Sequence, residues 1–282
     1  MKGVIAALDN GKFTPLAEIT HNERTELKAA IEKLNKYEEN YFIPYSICWY
    51  NLLQYRDFHR WAESEGKKSY SSFQLNSGLY KVFAAQNLIN MLTSFRSFSD
   101  ITAARISHDY GKQGLEYFHS LESNAFDKSF SYRFIYKLRN YSQHYSIPIA
   151  EFVIDDNFAE DRKYNFKVTI SRDRLLADRS WGKITNEIEK LPERITINEH
   201  IEEYNTIIQN IHFDIIKYLW KNIKPYYEVA MFQYNKVREQ CNFPLLGWPL
   251  LDENGKPNYQ MDTVHFPTSL LEMLEKVIDK MI

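Results

Sequence analysis

Apolar residues along this chain recur mostly at the alternating three-and-four spacing of helices. Thr20-His21-Asn22-Glu23 fits a capping box, in which hydroxyl and carboxylate satisfy each other's backbone amides at a helix start. Leu27, Ala30, Ile31, Leu34 and Tyr41 follow near helical spacing, and Pro44 reads as the stop. A second helix is expected over 45–65, ended by Gly66 and the polar Lys67-Lys68-Ser69. A third spans 77–99 on Leu79, Val82, Phe83, Leu88, Leu92 and Phe95. A fourth covers 127–146 and halts before Pro148, because a residue preceding proline avoids the helical region.

Beyond Pro148 the texture changes. Tyr164, Phe166, Val168 and Ile170 alternate with Asn165, Lys167 and Thr169, the period of a half-buried strand, and 154–161 reads as the loop before it. After a short helical stretch over 175–191, Asn198 can cap a long helix whose Ile201, Tyr204, Ile208, Ile211, Ile215 and Tyr218 form a seam. That seam is too short for a coiled coil, so bundle packing is expected. Pro225 should kink or end it, with 226–240 continuing as another helix, and 242–258 reads as turns. The fold class is therefore mainly α: a helical bundle with a small β insertion in the C-terminal half. Residues 1–150 form the bundle; 151–282, with the strand and the long helix, form a C-terminal part that can pack with it as one domain.

Composition sharpens this picture. Nine Gly and nine Pro in 282 residues are few breakers, which favours long helices, and 20 Tyr with 18 Phe supply large rings for burial. The formal charge of −2 excludes a uniformly basic nucleic-acid coat, so any polyanion contact needs a local patch. Two cysteines lack metal-ligand spacing and fit a reducing compartment. Without an 18-residue apolar run or a signal-peptide core, a cytoplasmic protein with no membrane partner is expected.

The fourth helix carries the chemistry. Placed at 100° per residue from Arg139, Phe130, Phe134, Ile135, Leu138, Tyr141 and Tyr145 fall between roughly 180° and 320°, a core face. Tyr132, Arg133, Tyr136, Lys137, Asn140, Gln143 and His144 fall between roughly 20° and 160°. That sector gathers cations, amides, phenols and an imidazole without an acid. Positive charge beside stackable rings is what a single-stranded nucleic acid requires. His108-Asp109 and Arg56-Asp57-x-His59-Arg60 put acid beside histidine, but neither supplies enough ligands for a metal.

Arg139-Asn140-x-x-x-His144 resembles the R-[ND/H]-x-x-x-H motif of the HEPN superfamily, helical proteins many of which are metal-independent ribonucleases. The run Leu138-Arg139-Asn140-Tyr141-Ser142-Gln143-His144-Tyr145-Ser146-Ile147-Pro148-Ile149 is similar to a segment of bacterial HEPN-like proteins of defence or toxin–antitoxin systems, and 90–100 resembles their preceding helix. The resemblance covers roughly 20–150. A second match, Arg194 to His200, has Ile195 after the arginine in a β-branched stretch and is read as a decoy.

The resemblance implies an endoribonuclease that leaves 2′,3′-cyclic phosphate ends without metal or cofactor. His144 would exchange protons as general base or acid, Arg139 would hold the phosphate, and Asn140, one turn before His144, would orient the ring or bind phosphate. Tyr136, Arg133, Lys137 and Gln143 would assist RNA binding, and Asn90 could reach the site from the third helix. Arg139 and His144 diverge by about 140° on an ideal helix. They meet at one phosphate if the long arginine wraps round, if the last turn loosens near Pro148, or if a second copy supplies a partner. Families of this type commonly use two motif copies from a dimer, so the resemblance implies a homodimer or a HEPN-like partner, with an antitoxin or defence-system protein as a further partner. The alternative is a catalytically inactive RNA-binding or assembly module of the same fold.

Overall fold

The computed structural model describes residues 3–9, 12–68, 77–148, 151–156, 164–251 and 257–279. The protein is mainly helical, with strands that pair antiparallel throughout. It forms two compact units, one built from Met1–Ile43 and Phe213–Ile282, the other from Pro44–His212. The boundary expected near residue 150 falls inside the second unit.

In the first unit, β1 (Gly3–Asp9) and β2 (Lys12–Ile19) form a hairpin. Helix α1 (His21–Tyr37) begins at the expected capping box: Glu23 N donates to Thr20 Oγ1 at 3.2 Å and Thr20 N to Glu23 Oε2 at 2.8 Å. Leu27, Ala30, Ile31 and Leu34 are its buried face. Thr20→Ala should lower stability by about 1 kcal/mol, read as a lower urea midpoint at unchanged slope, whereas Thr20→Ser should retain it.

Pro44 does not stop the helical path. Residues Glu38–Phe42 widen into a π-helical turn, the Ile43 amide bonds the Glu38 carbonyl, and α2 (Ile43–Lys68) follows directly. Pro44, which has no N–H to give, sits where this widened turn joins α2. The polar stretch at 66–68 is part of α2, while Ser69 lies outside the described residues.

In the second unit, α3 (Ser77–Lys128) runs well past the expected end at Ser99. It is interrupted at Gly111, whose φ of 64° and ψ of −157° suit a residue without a side chain. The Ser99 hydroxyl reaches the Glu122 carboxylate across 23 residues of sequence, so the limbs on either side of Gly111 lie alongside each other. Helix α4 (Phe130–His144) starts at Ser129, whose Oγ accepts from Tyr132 N at 3.1 Å. Its core face is largely as expected: Phe134, Ile135, Leu138 and Tyr141 are buried, Phe130 partly so, but Tyr145, just past the helix end, is 60% exposed.

The strand expected at 164–170 is β4 (Tyr164–Ser171), flanked by β3 (Glu151–Asp156) and β5 (Arg194–Thr196) in the order β3-β4-β5. The stretch from Ile154 to Asp156 is strand, not loop. It sits on a sheet edge, where charged residues are tolerated. Residues 157–161 lie outside the described residues. The stretch over 175–191 is short pieces: α5 (Arg172–Leu176), a 3-10 turn (Arg179–Ile184) and α6 (Thr185–Ile188).

Helix α7 (Asn198–Tyr234) starts where expected and passes Pro225 without ending. Lys221, whose carbonyl loses its donor there, and Pro225 itself are exposed, so water can take the bond. Ile201, Tyr204, Ile208, Ile211 and Ile215 are buried, joined by Ile216, Leu219 and Ile223, a stripe broader than a coiled-coil seam.

The stretch after 242 is not simply turns. It contains β6 (Leu245–Leu251) and β7 (Pro257–His265), which join β1 and β2 in the order β2-β1-β6-β7, followed by α8 (Thr268–Ile278). Sheet is thus not confined to an insertion in the C-terminal half.

Candidate active site

The motif residues sit on α4, held in place at both ends. At its start Glu203 accepts from Ser129 Oγ at 2.6 Å and Ser131 Oγ at 2.7 Å, and Ser131 Oγ lies 2.8 Å from His200 Nδ1. These serine hydroxyls hold the Glu203 carboxyl below its usual range, and its charge suits a helix N-terminus. His200 also packs against the Phe130 and Phe134 rings at 5.4 and 5.2 Å. The second motif match is therefore a fastening for α4.

Arg139 is half-buried. Its Nη1 donates to Asn140 Oδ1 at 3.1 Å, while its Nε is buried with no partner. Among the described residues no carboxylate pairs with it. It lines a small cavity with Arg96, Ser99, Tyr132 and Tyr136, closed behind by Leu92, Phe95 and Tyr204.

His144 is the last residue of α4 and is exposed. Asn140 turns to Arg139 rather than to His144, and no hydrogen bond joins His144 to either. Arginine and asparagine are thus brought together, while the imidazole lies exposed at the helix end with no hydrogen bond to either.

The assisting residues divide. Arg133 is no solvated cation: Nη2 pairs with Glu187 at 2.7 Å, Nη1 bonds the Phe126 and Asp127 carbonyls at 2.6 and 3.1 Å, and the side chain is 16% exposed. It neutralises the last turn of α3. Lys137 Nζ reaches the Ser180 carbonyl at 3.3 Å and remains at the surface, and Gln143 is exposed. Tyr136 is half-buried and accepts from Arg96 Nη1 at 3.1 Å, with the Arg96 guanidinium 5.4 Å over its ring. Tyr132 is 3% exposed and stacks on Tyr204 at 4.9 Å; burial holds both phenols protonated.

The helix alone hid what faces it. Glu122 and Arg96 come from the two limbs of α3, and Glu187 from α6, so the site is not acid-free. Asn90 is exposed; Arg96 is the α3 residue that arrives, held by Asp100 at 2.7 Å as an i,i+4 pair. The sequence signal for this was Gly111 between two helical patterns, which folds Glu122 back onto Ser99.

Among the described residues no group of three or more His, Cys, Asp or Glu could hold a metal ion. Arg56 is taken by Glu202, His59 lies against Tyr55 and Phe58, and His108 pairs with Asp109 at 2.8 Å on the surface. Cys48 is buried, donates to the Ser94 carbonyl at 3.0 Å, and is pushed up to about 12 by burial, which excludes a reactive thiolate at neutral pH. Among the described residues no helix is long and apolar enough to cross a membrane.

No family model matches the chain, and neither does any curated protein or solved structure.

Proposed function

We propose that this protein is a metal-independent endoribonuclease of HEPN type. The 2′-hydroxyl of a ribose attacks the adjacent phosphorus, the bond to the 5′-oxygen breaks, and the products carry a 2′,3′-cyclic phosphate and a 5′-hydroxyl. His144, exposed at the helix end, takes the 2′-hydroxyl proton or returns one to the leaving oxygen. Arg139 stabilises the extra negative charge on the pentavalent phosphorus, and Asn140 fixes the guanidinium plane.

The observation that carries this reading is the state of Arg139. A guanidinium with a buried, unpartnered Nε and no carboxylate is an arginine prepared for an anion that arrives from outside. Because His144 stands apart from it, the working site takes its imidazole from a second copy of the chain, so the enzyme acts as a homodimer. Such an activity suits an intracellular toxin or defence effector kept silent by an antitoxin or defence-system partner.

The same separation favours one other reading, a catalytically inactive RNA-binding or assembly module in which Arg139 serves the fold. Incubation of the purified protein with total RNA in EDTA, followed by end mapping, separates them. Cyclic phosphate and 5′-hydroxyl ends are expected; intact RNA, or new 3′-hydroxyl ends, would favour the module.

A further inference from the structure

Beside the Arg139 cavity, and sharing Arg96, Tyr132 and Tyr136 with it, an open cleft of about 380 Å³ lies between the limbs of α3 and the outer side of α4. Lys137, Phe126, Glu122 and Ser123 complete its wall. Ligand sites usually span about 300–1,000 Å³, so the cleft suits one nucleotide rather than a folded polymer.

Its chemistry is divided. The Phe126 and Tyr136 rings meet edge to face at 6.3 Å and 89°, and both line the cleft. Arg96 is steadied by three contacts, an ion pair to Asp100, a bond to the Tyr136 hydroxyl and its seat over the Tyr136 ring. A guanidinium ordered in this way loses little freedom on gripping a phosphate. The one carboxylate in the wall, Glu122, already accepts from Ser99 and lies 3.2 Å from His119 Nδ1, so its charge is partly engaged.

We infer that this cleft is a subsite for one unpaired nucleotide of single-stranded RNA, its base against Tyr136 and Phe126 and its phosphate shared between Arg96 and Arg139. The assignment rests on the ribonuclease reading for the kind of ligand, and it adds Arg96, from a different helix, to the phosphate-binding set.

The test is equilibrium binding, independent of cleavage. A fluorescently labelled, unstructured RNA octamer is titrated by anisotropy across a salt series against the wild-type protein and the variants Arg96→Ala, Arg96→Lys, Tyr136→Ala and Tyr136→Phe. Lys224→Ala, which removes an exposed charge from the other unit, is the control. Arg96→Ala should weaken binding by about tenfold and reduce the salt slope by about one, with partial rescue in Arg96→Lys. Tyr136→Ala should weaken binding on the order of tenfold, and Tyr136→Phe, which keeps the ring, much less. Thermal unfolding of each variant identifies any that fails to fold, and Arg96→Lys and Tyr136→Phe keep the test open in that case. An octamer bound equally by all variants, with one salt slope, overturns the subsite even if the RNA is cleaved. Failure of the wild-type protein to bind the octamer overturns it as well. Loss of cleavage with Arg96-dependent binding intact would instead refute only the enzymatic reading.

Discussion

His144→Ala should lower RNA cleavage by at least about 100-fold, the lower range for removing a general acid or base. Arg139→Ala should cost a similar factor, and Arg139→Lys should recover little, because an ammonium cannot match the planar fork on a phosphate. Arg133→Ala should behave differently. Its guanidinium is occupied by Glu187 and by the carbonyls that end α3, so the loss should appear in stability. The informative experiment mixes the two inactive proteins. Arg139 is half-buried against the first limb of α3, while His144 is exposed at the end of α4. If each site draws arginine from one subunit and imidazole from the other, Arg139→Ala and His144→Ala chains together rebuild one intact site in every mixed dimer. Random exchange in equal amounts then restores about a quarter of the wild-type sites. Single-turnover cleavage measured after exchange reads this directly. No recovery, with exchange shown by a size-tagged subunit, would exclude the shared site.

What was legible in the sequence was local. The Thr20–Glu23 box involves partners three residues apart, and the alternation of β4 needs only its own eight residues. Neighbouring Arg139 and Asn140 were likewise visible as a pair. The rest depends on residues that are distant in the chain. Local pattern alone makes Pro44 a helix stop, yet the chain passes it through a widened turn, and at Pro225 the exposed Lys221 carbonyl can turn to water; neither outcome is written in a local pattern. β1 pairs with β6, where Ile5 meets Leu246, from opposite ends of the sequence, so neither strand announces the sheet. The fate of Arg133 depends on Glu187, 54 residues on, and the environment of Arg139 on Arg96 and Tyr204, both distant in the sequence. A helical wheel gives directions but not neighbours. It therefore gives the face of α4 on which Arg133 and Tyr136 lie, and not which of its charges are already spent.

Acid should destabilise the protein well before its carboxylates titrate. His212 is buried, stacked on Tyr45 with centroids 4.0 Å apart and planes 8° from parallel, and burial pulls its pKa down to about 3. His59, buried against Tyr55 and Phe58, is pulled down to about 4 for the same reason. In both, the folded state holds the neutral ring while the unfolded chain takes a proton near pH 6.5. The unfolded state thus binds more protons below that pH, so stability is complete above about 6.5 and drains away as pH falls toward 3 to 4. Two such rings acting together cost on the order of 4 kcal/mol between pH 7.5 and 5, a large share of an ordinary domain's stability. Urea unfolding across that range should show the midpoint falling steeply on acidification. His212→Phe keeps an aromatic ring against Tyr45 but cannot take a proton, so its midpoint should fall about half as steeply. A midpoint that ignores pH between 7.5 and 5, or a variant with the wild-type slope, would mean that these rings are protonated inside the fold, and that their burial does not keep them neutral.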